Sequence, residues 1–157
     1  MTEHPVTDGH VTGFWHVGIT VRDMAATLEF YCDGLGFEVV STSVTTSTAA
    51  TVWVLPGARA NTVFLKVPNS DVTLELFEFT SVVDQRSVAA RPWDFAHGHF
   101  ALFVDDLDGL YKRLQERGYR GRADAVAVLA DGPLAGAKAI YMIDPDGYHV
   151  ELFERPS

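Results

Sequence analysis

Only one cysteine, Cys32, occurs in the chain, so no intrachain disulfide can form, and the thiol is read as a small apolar group within a helix. Basic residues are scarce as well. Twelve Lys and Arg against 21 Asp and Glu leave a net charge of −9, which repels phosphate backbones and anionic membrane surfaces, so nucleic acid and membrane are excluded as partners. Residues 1–9 hold neither a basic segment nor an apolar run, so neither secretion nor membrane insertion is indicated, and a cytoplasmic protein is expected. A P-loop, an HExxH helix, a GxSxG elbow and a CxxC pair are all missing. What the chain does have is a hydrophobic content of 47%, enough to bury one good core as a single domain or two small fused modules.

Its most informative feature is a duplication. Glu-Leu-Phe-Glu occurs at 75–78 and again at 151–154. Upstream of each copy stands a histidine, then an apolar strand, then an Asp seven residues on: His16 with Asp23, and His99 with Asp106. Two copies of one unit are therefore predicted, each opening on a His-bearing strand and closing on a Glu-bearing strand. Alternate residues of a strand share a face. His16 thus opposes Val17, Ile19 and Val21; Glu75 opposes Leu74 and Leu76; His99 opposes Phe100, Leu102 and Val104; Glu151 opposes Val150 and Leu152. Singly, a strand His or Glu is usually a structural or solvated residue. Jointly, two nitrogens and two carboxylates converging on one sheet-lined concavity suit a divalent transition metal.

The remaining pattern predicts βαβββ twice. Residues 1–11 form a tail, 12–80 the first module, 81–96 a connector and 97–157 the second module, making one structural domain overall. Strands are expected over 14–21, 37–44, 62–67 and 72–79, and a helix follows the N-cap Asp23 with Met24, Leu28 and Tyr31 on its apolar side until Gly34 and Gly36. Residues 45–61 are ambiguous between an irregular strand and a short helix or lid. In the second copy, 99–104, 125–130, 137–143 and 148–154 read as strands; Asp105 or Asp106 caps a helix carrying Leu107, Leu110, Tyr111 and Leu114, and Gly118 stops it. The fold class is α+β: two tandem βαβββ modules forming a curved mixed β-sheet cleft, with the helices outside.

These residues resemble the vicinal oxygen chelate family of glyoxalases, bleomycin-resistance proteins, extradiol dioxygenases and epimerases. The resemblance runs from Phe14 to Glu154 and is carried by His16, Phe30-Tyr31, Leu35-Gly36-Phe37, Leu74-Glu75-Leu76, Gly98-His99, Val104-Asp105-Asp106, Asp144-Pro145-Asp146-Gly147-Tyr148 and Val150-Glu151-Leu152. It implies paired βαβββ modules around a metal, with His16, Glu75, His99 and Glu151 at the ligand positions. Glyoxalase I is the most similar pattern. Glutathione-binding members carry Arg four residues after the first His ligand and Asn four after the first Glu ligand, and Thr20 and Phe79 replace them here, so the groups that hold glutathione are missing.

A function follows as an expectation. The chain is read as a glyoxalase-like, metal-dependent isomerase, epimerase or lyase with one divalent ion (Fe, Mn, Co, Ni or Zn). Its substrate is a small apolar or aromatic molecule with two neighbouring oxygens. Four protein ligands on an octahedral ion leave two positions for those oxygens; the ion stabilises an enolate while Glu151 or Glu75 moves the proton. Phe14, Phe77, Phe79 and Phe103 are placed on the ligand-bearing face, with Trp53, Trp93 and Phe95 at its mouth. His97 and His149 share parity with His99 and Glu151, as groups that hydrogen-bond a metal ligand from behind, proton carriers or alternative ligands. Two other readings are an iron-dependent extradiol-type dioxygenase, which would have to shed one of the four ligands, and a metal-free small-molecule binding protein of the bleomycin-resistance kind. A homodimer is expected, and the cleft can form within one chain or by exchange of modules between two.

Overall fold

In the computed structural model, which describes residues 9–46, 51–88 and 91–156, two similar units follow one another along the chain. The first begins at β1 (His16–Thr20). Asp23 then caps α1 (Met24–Leu28), its side chain accepting from the Ala26 amide. The helix does not continue in α form. It widens into a π-helical turn, Glu29–Gly34, in which the consecutive residues Phe30 and Tyr31 are both fully buried. Strands β2 (Glu38–Thr45), β3 (Ala60–Lys66) and β4 (Thr73–Phe79) complete a sheet of order β1-β4-β3-β2, in which β1 and β4 run parallel.

The second unit repeats this plan with β5 (His99–Val104), α2 (Leu107–Glu116), β6 (Arg120–Gly121), β7 (Ala127–Val128), β8 (Lys138–Ile143) and β9 (His149–Glu154). Its sheet has the order β5-β9-β8-β6, with β7 also on β8 and β5 parallel to β9. Asp106 is the residue that caps α2, accepting from the Gly109 amide at 2.9 Å, and Gly118 ends it at φ +89. Helices packed on two mixed sheets are the α+β architecture expected from the sequence. The strand expected over 125–130 shrinks to Ala127–Val128, and Arg120–Gly121 supplies a pairing that the sequence reading lacked. Neither two-residue patch carries an alternating apolar signal, because pairing to β8, and not burial of its own side chains, makes each a strand. Of the ambiguous stretch, residues 47–50 lie outside the described residues. Among the described residues no helix is long and apolar enough to cross a membrane.

Both units share one core. The apolar faces of the first sheet (Ile19, Leu74, Leu76) and the second (Met142, Val150, Leu152) join Phe30 and Tyr31 with Leu107 and Leu114 of α2 in a continuous cluster. The helical segments touch directly. Phe30 meets Tyr119 edge-on at 4.9 Å, and Gly34 leaves room for Leu114, whose Cδ2 would lie 3.1 Å from a Cβ there. The Asp-Pro-Asp-Gly turn fastens the units together. The buried Asp144 accepts from the Asp146 and Tyr148 amides and, at 3.1 Å, from the Tyr31 hydroxyl, while the Arg22 amide donates to Asp146 at 2.8 Å. Burial pushes the Tyr31 phenol well above its usual range, and the neighbouring Asp144 adds to this, so the phenol stays a donor. Tyr31→Phe leaves a buried carboxylate oxygen without that donor and is expected to cost about 1–3 kcal/mol. Urea unfolding would show it as a lower midpoint at constant slope; an unchanged midpoint would mean the bond contributes nothing.

The duplicated Glu-Leu-Phe-Glu proves to hold two devices on opposite faces. The second glutamate of each copy turns toward the helix, where Glu78 accepts from the Met24 amide at 3.1 Å and Glu154 from the Leu107 amide at 2.7 Å. Each places a carboxylate on free N–H groups at the positive end of a helix. The first glutamate of each copy is left on the other face.

Candidate functional site

Register decides how the four ligand candidates meet. In the first sheet Gly18 lies opposite Glu75 and His16 opposite Thr73; in the second, Ala101 lies opposite Glu151 and His99 opposite His149. In both, the histidine therefore reaches the glutamate on a two-residue diagonal between parallel strands. His16 Nε2 lies 3.0 Å from Glu75 Oε2, and His99 Nε2 lies 3.2 Å from Glu151 Oε2. The matching geometry is the duplication seen again in three dimensions. Gly18 keeps the first pair open, since a Cβ there would already lie 3.6 Å from Glu75 Oε2, and any longer side chain would fill that space.

The four do not form one set within the chain. Among the described residues no group of three or more His, Cys, Asp or Glu side chains is arranged to hold a metal ion. Each His comes to its Glu because the two strands are neighbours in one sheet, whereas bringing pair to pair depends on how separate sheets are docked. Each pair does fit a metal edge. Two ligands at roughly 2.1 Å and right angles on an octahedral ion are about 3.0 Å apart, and imidazole with carboxylate is a donor set for divalent transition metals. At these separations each pair is also a hydrogen bond between the side chains. Burial raises the Glu75 carboxyl, and the neighbouring His16 partly offsets this. The buried His16 Nδ1, Thr73 Oγ1 and His149 Nε2 have no hydrogen-bond partner among the described residues, and all three belong to residues directly at the two pairs.

Around the first pair, Phe77 and Phe79 lie on the Glu75 face with the Trp53 ring packed against them at 5.1 and 4.8 Å, as the sequence reading places them. Phe64 and Trp15 complete an aromatic wall, Phe64 standing 5.7 Å from the His16 ring. Phe14 is not part of it. It precedes the first paired residue of β1, so strand alternation does not govern it, and it borders a crevice of about 240 Å³ with Val17, Leu74, Phe100 and Leu102. Around the second pair, Phe103 is 68% exposed beneath the Arg155 guanidinium at 4.0 Å, and Phe95 is fully exposed.

Two residues on the second face escaped sequence reasoning. The Tyr141 hydroxyl comes within 3.4 Å of His99 Nε2, because Tyr141 lies opposite Glu151 across the β8/β9 ladder. Burial, helped by Glu151, raises its phenol. Arg122, just beyond β6, donates its amide to the Tyr141 carbonyl at 2.7 Å. Alternation with the buried Ile140 and Met142 signals only which face Tyr141 takes, its place beside Glu151 coming from register, and Arg122 has no local signal because β6 carries none. His97 and His149 come together, Nε2 to Nδ1 at 2.9 Å, with His149 almost fully buried. A cavity of about 710 Å³ opens where the two units meet, lined by Thr20 and Phe79 from the first ligand-bearing face and by His97 and His149 from the second.

Comparison with known proteins agrees with this architecture. Residues 13–152 match the family described as the Glyoxalase/Bleomycin resistance protein/Dioxygenase superfamily. The chain is 32% identical over 149 residues to a 2-epi-5-epi-valiolone epimerase of an Actinomyces species, covering 90% of this chain and 79% of that protein. It is 25% identical over 145 residues to the lactoylglutathione lyase of Haemophilus influenzae, covering 90% and 92%. A glyoxalase family protein of Bacillus cereus superposes with a TM-score of 0.82 at 16% identity, over 96% of this chain and 99% of that one, which is a likeness of fold.

Proposed function

Because this chain belongs to the Glyoxalase/Bleomycin resistance protein/Dioxygenase superfamily, we propose that it is a metal-dependent isomerase, epimerase or lyase acting on a small molecule with two neighbouring oxygens. The observation that carries this is the pair of equivalent His/Glu sets, at 3.0 and 3.2 Å, in a chain similar to an epimerase and to lactoylglutathione lyases. His16, Glu75, His99 and Glu151 would hold one divalent ion. When bound, the ion supplies Lewis-acid polarisation of the two substrate oxygens.

The chain's own residues do the rest. Glu151 or Glu75 takes a proton from the carbon beside the polarised oxygens and returns it, to the other face of that carbon in an epimerisation or to its neighbour in an isomerisation. Tyr141, protonated and 3.4 Å from His99 Nε2, is placed to donate a hydrogen bond to a substrate oxygen. Phe77, Phe79, Phe64 and Trp53 offer an apolar wall that excludes water and favours an apolar or aromatic substrate body. Thr20 and Phe79 supply neither a guanidinium nor an amide, which argues against glutathione as the substrate's carrier.

The complete site is formed between two copies of the chain, the His16/Glu75 half of one facing the His99/Glu151 half of the other. Three features support this. The pairs are separate within one chain, β1 and β5 are edge strands whose outer ladder side is unpaired among the described residues, and Trp15 beside the first pair and Phe103 beside the second are 70% and 68% exposed. The reaction type is tested with chelator-free, metal-loaded protein and a panel of α-hydroxy carbonyl, 1,3-dicarbonyl and acyl-thioester compounds in deuterated water. Metal-dependent exchange of a carbon-bound hydrogen is expected, without dioxygen uptake. One dioxygen consumed per turnover of a catechol by the iron-loaded protein would replace this reading with ring cleavage.

A further inference from the structure

The net charge of −9 makes most of this surface hostile to anions, and the guanidinium of Arg122 stands against that background on the His99/Glu151 face. Trp93 in the connector carries two guanidinium groups, Arg91 at 5.4 Å and Arg122 at 5.2 Å from its ring centroid. They differ in what answers their charge. Arg91 is bound by both carboxylate oxygens of Asp94, the shorter contact being 2.6 Å. Arg122 forms no ion pair or side-chain hydrogen bond among the described residues.

Placement makes this difference matter. The pairing of Gly121 with Met142, whose side chain is fully buried, and of the Arg122 amide with the Tyr141 carbonyl puts Arg122 on the same face as Tyr141 and Glu151. Adjacent strands are about 4.8 Å apart, so two strand spacings put the Arg122 backbone roughly 10 Å from that of Glu151, about the span of a small molecule. The contact with the Trp93 ring restricts the rotamers of the Arg122 side chain, and the fork of N–H donors on a guanidinium suits bidentate carboxylate or phosphate binding.

We infer that Arg122, held on Trp93, is the anion-recognition residue of this site, so that the substrate carries a carboxylate or phosphate a few bonds from its two neighbouring oxygens. This rests on the metal-dependent reading above and adds the substrate's charge to it. Two nearly isosteric probes separate the two ideas: butyrohydroxamate, a neutral two-oxygen chelator, and succinomonohydroxamate, the same chelator ending in a carboxylate. Binding to the Co2+-loaded protein is followed by calorimetry and, independently, by the cobalt absorption bands. The wild type is expected to prefer the carboxylated probe by about tenfold or more. Arg122→Gln should bring the ratio of affinities to about one, Arg122→Lys should keep part of it, and Trp93→Ala should lower it without abolishing binding. A ratio near one in the wild type, or a preference that survives Arg122→Gln, overturns the assignment of Arg122 while leaving the metal reading in place. If neither hydroxamate binds the loaded protein or perturbs its cobalt bands, the metal reading fails and this inference falls with it.

Discussion

Co-expressed chains carrying His16→Ala and His99→Ala are expected to recover roughly a quarter of wild-type metal sites and turnover, although each variant alone has almost none. Each homodimer of a single variant holds two sites of three ligands, and loss of a direct ligand is expected to weaken binding more than about 100-fold. Random pairing makes half of the dimers mixed. In a mixed dimer one site combines both damaged halves, whereas the other combines an intact His16/Glu75 half with an intact His99/Glu151 half. A control separates this from simple stabilisation. His16→Ala with Glu75→Ala damages the same half in both chains, so no mixed dimer contains an intact site and no recovery is expected. Equal recovery in both mixtures, or a monomer by light scattering, would rule out a site shared between chains.

Phe30→Ala is expected to cost about 3–5 kcal/mol, the range for deleting a buried phenyl group. Phe30 is fully buried, with the rings of Tyr31 and Tyr119 edge-on at 4.9 Å each, so the loss is felt on both sides of the junction between units. Against a usual total of about 5–15 kcal/mol, such a loss should lower the melting temperature by roughly 6–20 °C. Because Ile19, Leu74, Met142 and Leu152 belong to the same core, unfolding should remain a single transition. Phe30→Leu, which keeps most of the volume, should cost under about 1.5 kcal/mol. Two well-separated transitions in the wild type, or a small effect of the Ala variant, would show that the units stand independently.

The architecture was legible because its signals are local and occur twice. Asp23 and Asp106 cap helices as their spacing predicts, and the alternation around His16, Glu75, His99 and Glu151 places them opposite the aliphatic faces. Where the local signal is weak, the structure departs from the pattern. Residues 120–121 and 127–128 are strand only by pairing to β8, and Phe14 lies outside the strand whose parity was extended to it. Tyr141 and Arg122 gained their places from cross-strand register, which a single chain segment does not encode.

By itself the sequence determined the duplicated unit, the four strands that carry His and Glu, and the faces on which they lie, because a period of two and a repeated motif depend only on neighbouring residues. Tertiary structure alone decided four other matters. Parallel pairing of β1 with β4 and of β5 with β9 turned the four residues into two pairs of almost identical geometry. The second glutamate of each repeat became a helix cap, and the Asp144 turn became the fastening between units. The pairs remained apart within one chain, because the docking of one sheet against another is set by the shared core of Phe30, Tyr31, Leu107 and Leu114, whose contacts join residues far apart in the chain and leave no periodic trace in it.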